Sequence, residues 1–307
     1  RFDISMEYYI KDTKDLLYFV ALPATSGFSG YWENVGAVKN KGLEVVLGAD
    51  VIKSATDGFE WRLDANFGIN RNEVTELYEG EDIIKGLKIR SVGDDIDTWY
   101  MPKWAGVNPD NGLPQWESIS EEGAIELTNT FKDADDQKVG TSTPDIFGGL
   151  TSTMSYKNIS LAMNFDFVSG IDLYHATRQM YDNDGAYSTF NSMSLHDGWS
   201  RWEKPGDIAT HPQPFNGGNS GSNNISSRYI EDGSYIRLRN VTLNYSLAGI
   251  KKVEFLKNVN AYISAENLVT LTDYSGIDPE VGEKGEAETY GDYAIPKRFM
   301  FGLSLTF

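Results

Sequence analysis

The chain has 307 residues, 40% of them hydrophobic and 13% aromatic, with no cysteine and a formal charge of −18. Such an acidic surface gives nucleic-acid binding no physical basis, because phosphate affinity needs a basic face. No run of about 18 apolar residues occurs, so no helix of the sequence is built to cross a membrane. The mean hydropathy of −0.40 does not exclude crossing by strands, whose apolar signal is hidden in alternation.

Alternation with period two is the signature of an extended strand. It begins at once: Phe2, Ile4, Met6, Tyr8 and Ile10 alternate with Asp3, Ser5, Glu7 and Tyr9. Leu43, Val45, Leu47, Ala49 and Val51 form the next apolar face, blurred on its polar side by Val46 and Ile52. The cleanest strand runs Phe59-Trp61-Leu63-Ala65-Phe67-Ile69 against Glu60-Arg62-Asp64-Asn66-Gly68-Asn70. Ile159 to Phe167 repeats the pattern against Ser160, Ala162, Asn164 and Asp166. Val241-Leu243-Tyr245-Leu247 and Val259-Ala261-Ile263-Ala265 follow. In Tyr235 to Leu243, Ile236 and Leu238 share one parity and Val241 and Leu243 the other. A bulge near Asn240 reconciles them; without one, Ile236 and Leu238 face inward. The chain closes on Phe299, Phe301, Leu303, Leu305 and Phe307, an apolar face ending on a terminal Phe as bacterial outer-membrane barrels commonly do. No window predicts a helix of comparable length, so the class is all-β.

A sandwich core would bury any one of these faces, but the spacing between strands separates the two architectures. Residues 53–58, the Tyr156-Lys157-Asn158 turn and the segment from Gly249 to Asn258 are short. The stretches near 11–40, 71–145, 170–234 and 268–297 are long and rich in Gly, Asn, Asp, Ser and Trp. Loops beyond about 12–15 residues are uncommon in compact soluble domains. Outer-membrane barrels alternate short periplasmic turns with long external loops, and counting back from a periplasmic carboxyl terminus puts every long loop outside. The expected fold is therefore an antiparallel transmembrane β-barrel segment over residues 1–307. Phe59, Trp61 and Phe307 would sit at the periplasmic rim, as aromatics of an interfacial girdle or as ordinary core rings.

Several stretches resemble the SusC/RagA-type TonB-dependent outer-membrane transporters of Bacteroidota. Asn34 to Glu44 is similar to the family's strand entry, N-x-G-x-x-x-N-x-G-x-E, and Gly106 to Trp116 to its G-v-d-p-x-x-G-x-p turn. Pro144 to Asn158, with Gly148-Gly149, resembles the P-x-x-x-G-G hairpin; Arg201-Trp-Glu-Lys-Pro-Gly-Asp207 resembles the R-W-x-x-P-G-D loop. Glu231 to Leu243, Ala265-Glu-Asn267, Thr272 to Glu280 and Ile295-Pro296 complete the series in order. The resemblance covers nearly the whole chain. It implies a barrel of about 22 strands, nutrient import (oligosaccharide or oligopeptide) driven by the TonB complex, and a SusD-like surface lipoprotein as lid. It makes Phe307 part of the assembly signal. Arg1-Phe2 already lies in a strand pattern and no plug or Ton box is present, which predicts the carboxyl-terminal portion of a longer protein. The competing readings are a passive porin-like channel and a secreted carbohydrate-binding sandwich.

The facing assigns Glu60, Arg62, Asp64, Asn66, Asn164 and Asp166 to the lumen and their apolar neighbours to lipid. Trp99, Tyr100, Trp104, Trp116, Tyr181, Tyr187, Trp199 and Trp202 lie outside the strands. Flat rings there stack on a glycan, anchor a lid protein, or pack within the loop layer; Trp99, Trp104, Trp116, Tyr187, Trp199 and Trp202 are the candidate contacts. His175, His196 and His211 share one loop but match no metal spacing. Asp133, Asp135 and Asp136, and Asp182, Asn183 and Asp184, are either Ca²⁺ ligands or solvated acidic clusters, and neither run has the Gly and distal Glu of an EF-hand. Most other acids, such as those from Glu280 to Glu288, fall in expected loops. No carboxylate pair or Ser-His-Asp context points to catalysis.

Overall fold

The computed structural model describes residues 1–54, 58–191, 193–248, 257–281 and 293–307. Residues 55–57 of the 53–58 turn, residues 249–256 and the acids from residue 282 to Glu288 lie outside the described residues.

In chain order, β1 (Phe2–Thr13) leads to a first long loop with the hairpin β2 (Leu17–Ala21) and β3 (Gly30–Asn34). β4 (Ala37–Ile52) and β5 (Phe59–Glu76) follow across a short turn. The second long loop holds β6 (Ile83–Lys85), β7 (Lys88–Arg90), β8 (Thr98–Pro102), β9 (Trp104–Val107), β10 (Pro114–Ile119), β11 (Ile125–Thr128) and β12 (Asp136–Thr141). β13 (Ile146–Tyr156) and β14 (Ile159–Ser169) form a hairpin joined by Lys157 and Asn158, with Lys157 at φ 53°. The third long loop carries β15 (Asp172–Tyr174), the helix α1 (Ala176–Tyr181) and β16 (Ile230–Asp232). β17 (Tyr235–Ala248), β18 (Asn258–Thr272) and β19 (Arg298–Thr306) finish the chain.

One antiparallel sheet takes eight of these in the order β1-β4-β5-β13-β14-β17-β18-β19. Successive members are sequence neighbours once the loop strands are set aside, so this is a meander. All four long connections consequently leave from one end and the short turns from the other. That is the alternation the spacing predicts.

Directly opposed residues share a face, so the register tests the facing assignment. Ile4, Leu47, Ala65, Leu150, Phe165 and Leu238 lie in one row. Ala265 and Phe299, then Ile263 and Phe301, continue the apolar face across β18 and β19. This face is open: Phe2 is 81% exposed and Phe301 77%. An apolar face that runs across all eight strands is no scatter of single exposed residues, and such a face marks contact with a partner or a membrane. A sandwich would cover it with a second sheet, and among the described residues none packs on it; an open apolar face of this kind is the outward face of a barrel wall.

The bulge stands where the parity flip requires it. Asn164 opposes Asn240 while Phe165 opposes Leu238, leaving Arg239 as the extra residue. Across the sheet, β18 accommodates the same irregularity, with Asn267 at φ 54°. Ile236 and Leu238 thereby join Val241 and Leu243 on the apolar face.

On the other face, large rings lie over cross-strand glycines. Tyr9 covers Gly42, Phe147 covers Gly68 and Tyr262 covers Gly302, each being the residue directly opposite. The Tyr9 hydroxyl reaches past Gly42 to donate to Asn70 Oδ1 at 3.1 Å. Gly148 is packed differently, against the Asn66 carbonyl and the Phe167 ring, with no room for a Cβ.

Candidate functional site

Two surfaces qualify, the polar face of the wall and the loop layer above it. Glu60, Arg62, Asp64 and Asn66 of β5 share the polar face with Asn164 and Asp166 of β14. Arg62 gathers three carboxylates, Asp64 at 2.6 Å, Asp50 at 3.0 Å and Asp3 at 3.6 Å. Nearer the loop end, the bulged Arg239 pairs with Asp166 and, at 2.8 Å, with Glu280. The buried Arg237 reaches Asp278 at 2.5 Å and Glu280 at 3.0 Å. The bulge thus aims a guanidinium from the wall at the fourth loop. Between these charged zones lies a hydroxyl and amide stripe, with Thr151 donating to Asn164 at 2.9 Å and Asn240 to Ser264 at 2.9 Å.

The second and third loops have an interior of their own. Trp99, Met101, Tyr174, Ala176 and Tyr229 form its core, and Trp99 Nε1 donates to the Asp172 carbonyl at 2.9 Å. Beside it lies a buried charge knot. Asp184 accepts from Arg228 at 2.5 Å, Arg201 at 2.8 Å and Ser222 Oγ at 2.7 Å. Asp182 meets His211 Nε2 at 2.8 Å and Arg228 at 3.3 Å. Burial pushes the Asp182 carboxyl up, but the His211 hydrogen bond and the Arg228 and Arg178 charges outweigh it and hold it at about 2. Arg228 is likewise raised further despite its burial. Asp182 and Asp184 are therefore buried within a network of ion pairs and are not a solvated acidic cluster. Among the described residues no three His or acidic side chains converge as metal ligands. His175 is buried instead as the cap of α1, its Nδ1 accepting from the Arg178 amide, and burial lowers it to about 4.

Two of the family-like motifs meet in a joint between the second and third loops. Arg201 of the R-W-x-x-P-G-D stretch is held by Asp184 of the same loop. Its Trp202 donates to the Pro109 carbonyl at 2.9 Å and lies on Gly112, so the 106–116 turn and this loop interlock. Gly112 must be glycine twice over: its φ is +71° and a Cβ would strike the Trp202 ring. Asp207 closes its own turn by accepting from the Glu203 and Lys204 amides.

This packing corrects part of the aromatic assignment. Trp99 and Trp116 are fully buried and Trp202 nearly so. Trp116 packs edge-on against Trp104 and Phe131. A ring sealed inside the loop layer cannot stack on cargo or on a lid. Trp104, under the Arg228 guanidinium, and Trp199, against Arg178 and His211, stay partly accessible. Tyr187 is 45% exposed and pairs with the equally exposed Phe190.

A pocket that sequence reasoning misses lies between the first two loops and the end of the β4/β5 hairpin. Its volume is about 250 Å³, and Val38, Val74, Leu77, Ile83, Ile96 and Arg90 are among its walls. Tyr18 stacks on Tyr78 at its edge, and a hydrogen bond with Tyr31 holds the Tyr78 phenol up at about 12. No local motif signals it, since its walls converge from separate segments.

No family model matches the chain. Curated relatives do. TonB-dependent receptor P26 of Formosa agariphila is 30% identical over 98% of this chain and 32% of its own length. TonB-dependent receptor P3 of the same organism is 28% identical over 100% of the chain and 32% of its own. TonB-dependent receptor SusC of Bacteroides thetaiotaomicron is 27% identical over 97% of the chain and 29% of its own. The solved RagAB peptide importer in its closed-closed state superposes with a TM-score of 0.86 at 25% identity, over 100% of this chain and 34% of that one. The relatives along the whole chain are TonB-dependent receptors, SusC among them. The chain spans about a third of the length of those it matches. The motifs that carry the resemblance lie in the wall and in the loop joints described above.

Proposed function

We propose that the chain forms part of the barrel wall of an outer-membrane importer. The importer takes up a nutrient oligosaccharide or oligopeptide with energy from the TonB complex, beneath a SusD-like surface lipoprotein. The observation that carries this is the full-length correspondence with the RagAB importer fold, joined to an open apolar face that only lipid suits. In this reading the segment is the carboxyl-terminal portion of the barrel, with plug and Ton box encoded before it. Glu60, Arg62, Asp64, Asn66, Asn164 and Asp166 line the lumen. Phe307 belongs to the assembly signal. Tyr187, with Trp104 and Trp199, meets cargo or lid.

Uptake of labelled oligosaccharide and oligopeptide pools by cells carrying the intact transporter tests the reading. Import should disappear when TonB is deleted, and envelope fractionation should place the protein in the detergent-soluble outer membrane. Uptake that continues without TonB would mark a passive channel instead. Tyr187→Ala and Trp199→Ala should weaken cargo or lid binding in calorimetry of the intact complex.

A further inference from the structure

The pocket between the first two loops has a chemistry of its own. Val38 and Val74 oppose each other on the polar side of the β4/β5 hairpin, and Leu16, Leu77, Ile83 and Ile96 close over them. Protein interiors leave few voids larger than a water molecule, and an apolar cavity stays dry and accepts apolar guests. At about 250 Å³ this one is smaller than the roughly 300–1,000 Å³ of a site for a whole drug-sized ligand. It suits one branched or aromatic group. A sugar ring would fit by volume but not by chemistry, because each hydroxyl buried against these walls without a partner costs about 1–3 kcal/mol.

Two charges edge the walls. Arg90 and Glu76 both line the pocket, and among the described residues neither has an ion-pair partner. The molecule's other partly buried arginines, Arg62, Arg178, Arg201, Arg228, Arg237 and Arg239, are all paired with carboxylates. Glu76 is exposed and solvated, whereas the half-buried Arg90 guanidinium at the edge of apolar walls complements an apolar group that carries its own carboxylate.

We propose that this pocket is a cargo subsite for the carboxyl-terminal residue of a short peptide, one bearing a bulky apolar side chain, with Arg90 taking the carboxylate. The proposal rests on the import reading and narrows its substrate class. Calorimetry on the detergent-purified intact transporter tests it without energy coupling, so loss of TonB-dependent uptake and loss of binding are separate results. The probes are the dipeptide Ala-Phe, its carboxyl amide, octanoate and maltotriose. Ala-Phe should bind, with the amide about tenfold weaker or worse, since a charge-assisted pair is replaced by a neutral one. Arg90→Gln should weaken Ala-Phe about tenfold and leave the amide unchanged. Val38→Phe, which fills the cavity, should abolish both, with heat-modifiable gel mobility confirming an assembled barrel. Octanoate binding as tightly as the dipeptide would support the apolar-carboxylate pocket while reassigning its source from peptide to fatty acid. No binding of either probe by the parent, equal binding of maltotriose, or an unchanged Ala-Phe affinity in Arg90→Gln would overturn it.

Discussion

Asp182 and Asp184 show how much a single side chain depends on its partners in this loop layer. Two adjacent buried carboxylates are unstable alone, and Arg228 touches both. Removing one member of a buried ion pair typically costs about 3–5 kcal/mol. Arg228→Leu should therefore open the third loop, and limited proteolysis of the intact transporter should nick residues 170–234 while heat-modifiable mobility of the wall persists. The same loop responds to pH through two groups. Asp182, held at about 2, contributes stability that is full above its ordinary value near 4 and is lost as pH falls toward 2. Burial, opposed by Glu231 and reinforced by Arg178 and His196, lowers His175 to about 4 and keeps it neutral above that. The unfolded loop then binds more protons than the folded one between pH 6.5 and 4, so protection should decline across that window as pH falls. His175→Asn, which keeps a cap acceptor without an imidazole, should flatten that decline in a pH series of protease protection. None of this knot is legible in sequence. Asp182-Asn-Asp184 reads as a cluster of acids in water because nothing local announces that Arg228, more than forty positions on, returns to it.

At the level of strands, sequence reasoning goes much further, because the side-chain period of two is a local property and membrane facing is its direct reading. Leu63 opposes Ala49 and Ser152, and Phe165 opposes Leu150, all on the lipid side; Asn66 opposes Val46 and Gly149 on the other. Leu63→Arg or Phe165→Arg should cost roughly 2–4 kcal/mol at mid-membrane and impair assembly, whereas Asn66→Arg should be tolerated. Heat-modifiable gel mobility of the three variants distinguishes the faces: a reversed outcome would mean the assignment is inverted, and equal behaviour that it is wrong. Even the bulge is foreshadowed, since Ile236 and Leu238 cannot share a face with Val241 without one. The ring-over-glycine pairs are not, because Tyr9 and Gly42 are matched only by register. Gly302→Val should force the Tyr262 ring off the sheet and slow assembly, measured as the lag before the folded band appears.

At the scale of the molecule, β1 and β19 stand at the two edges of the eight-stranded sheet, each paired on one side only. Unpaired N–H and C=O groups each cost several kcal/mol in hydrocarbon, so a membrane sheet must close. Produced alone in detergent, residues 1–307 should therefore give aggregates without a heat-modifiable folded band, while the intact transporter gives one. A compact folded monomer of the segment would contradict this. The long loops are readable from sequence as intervals, but what they build is not. Their small sheets and the Trp99 core arise from contacts across separations that no periodicity records, which is why Trp99, Trp116 and Trp202 read as exposed candidates and are interior residues.

That the crown of loops is organised around its own buried aromatics has one last consequence. Its shape is set by Trp99, Tyr174 and Tyr229 and not by the lipid-facing staves beneath. The loop layer can accordingly change its contours, residue by residue, while the alternating sheet stays as it is.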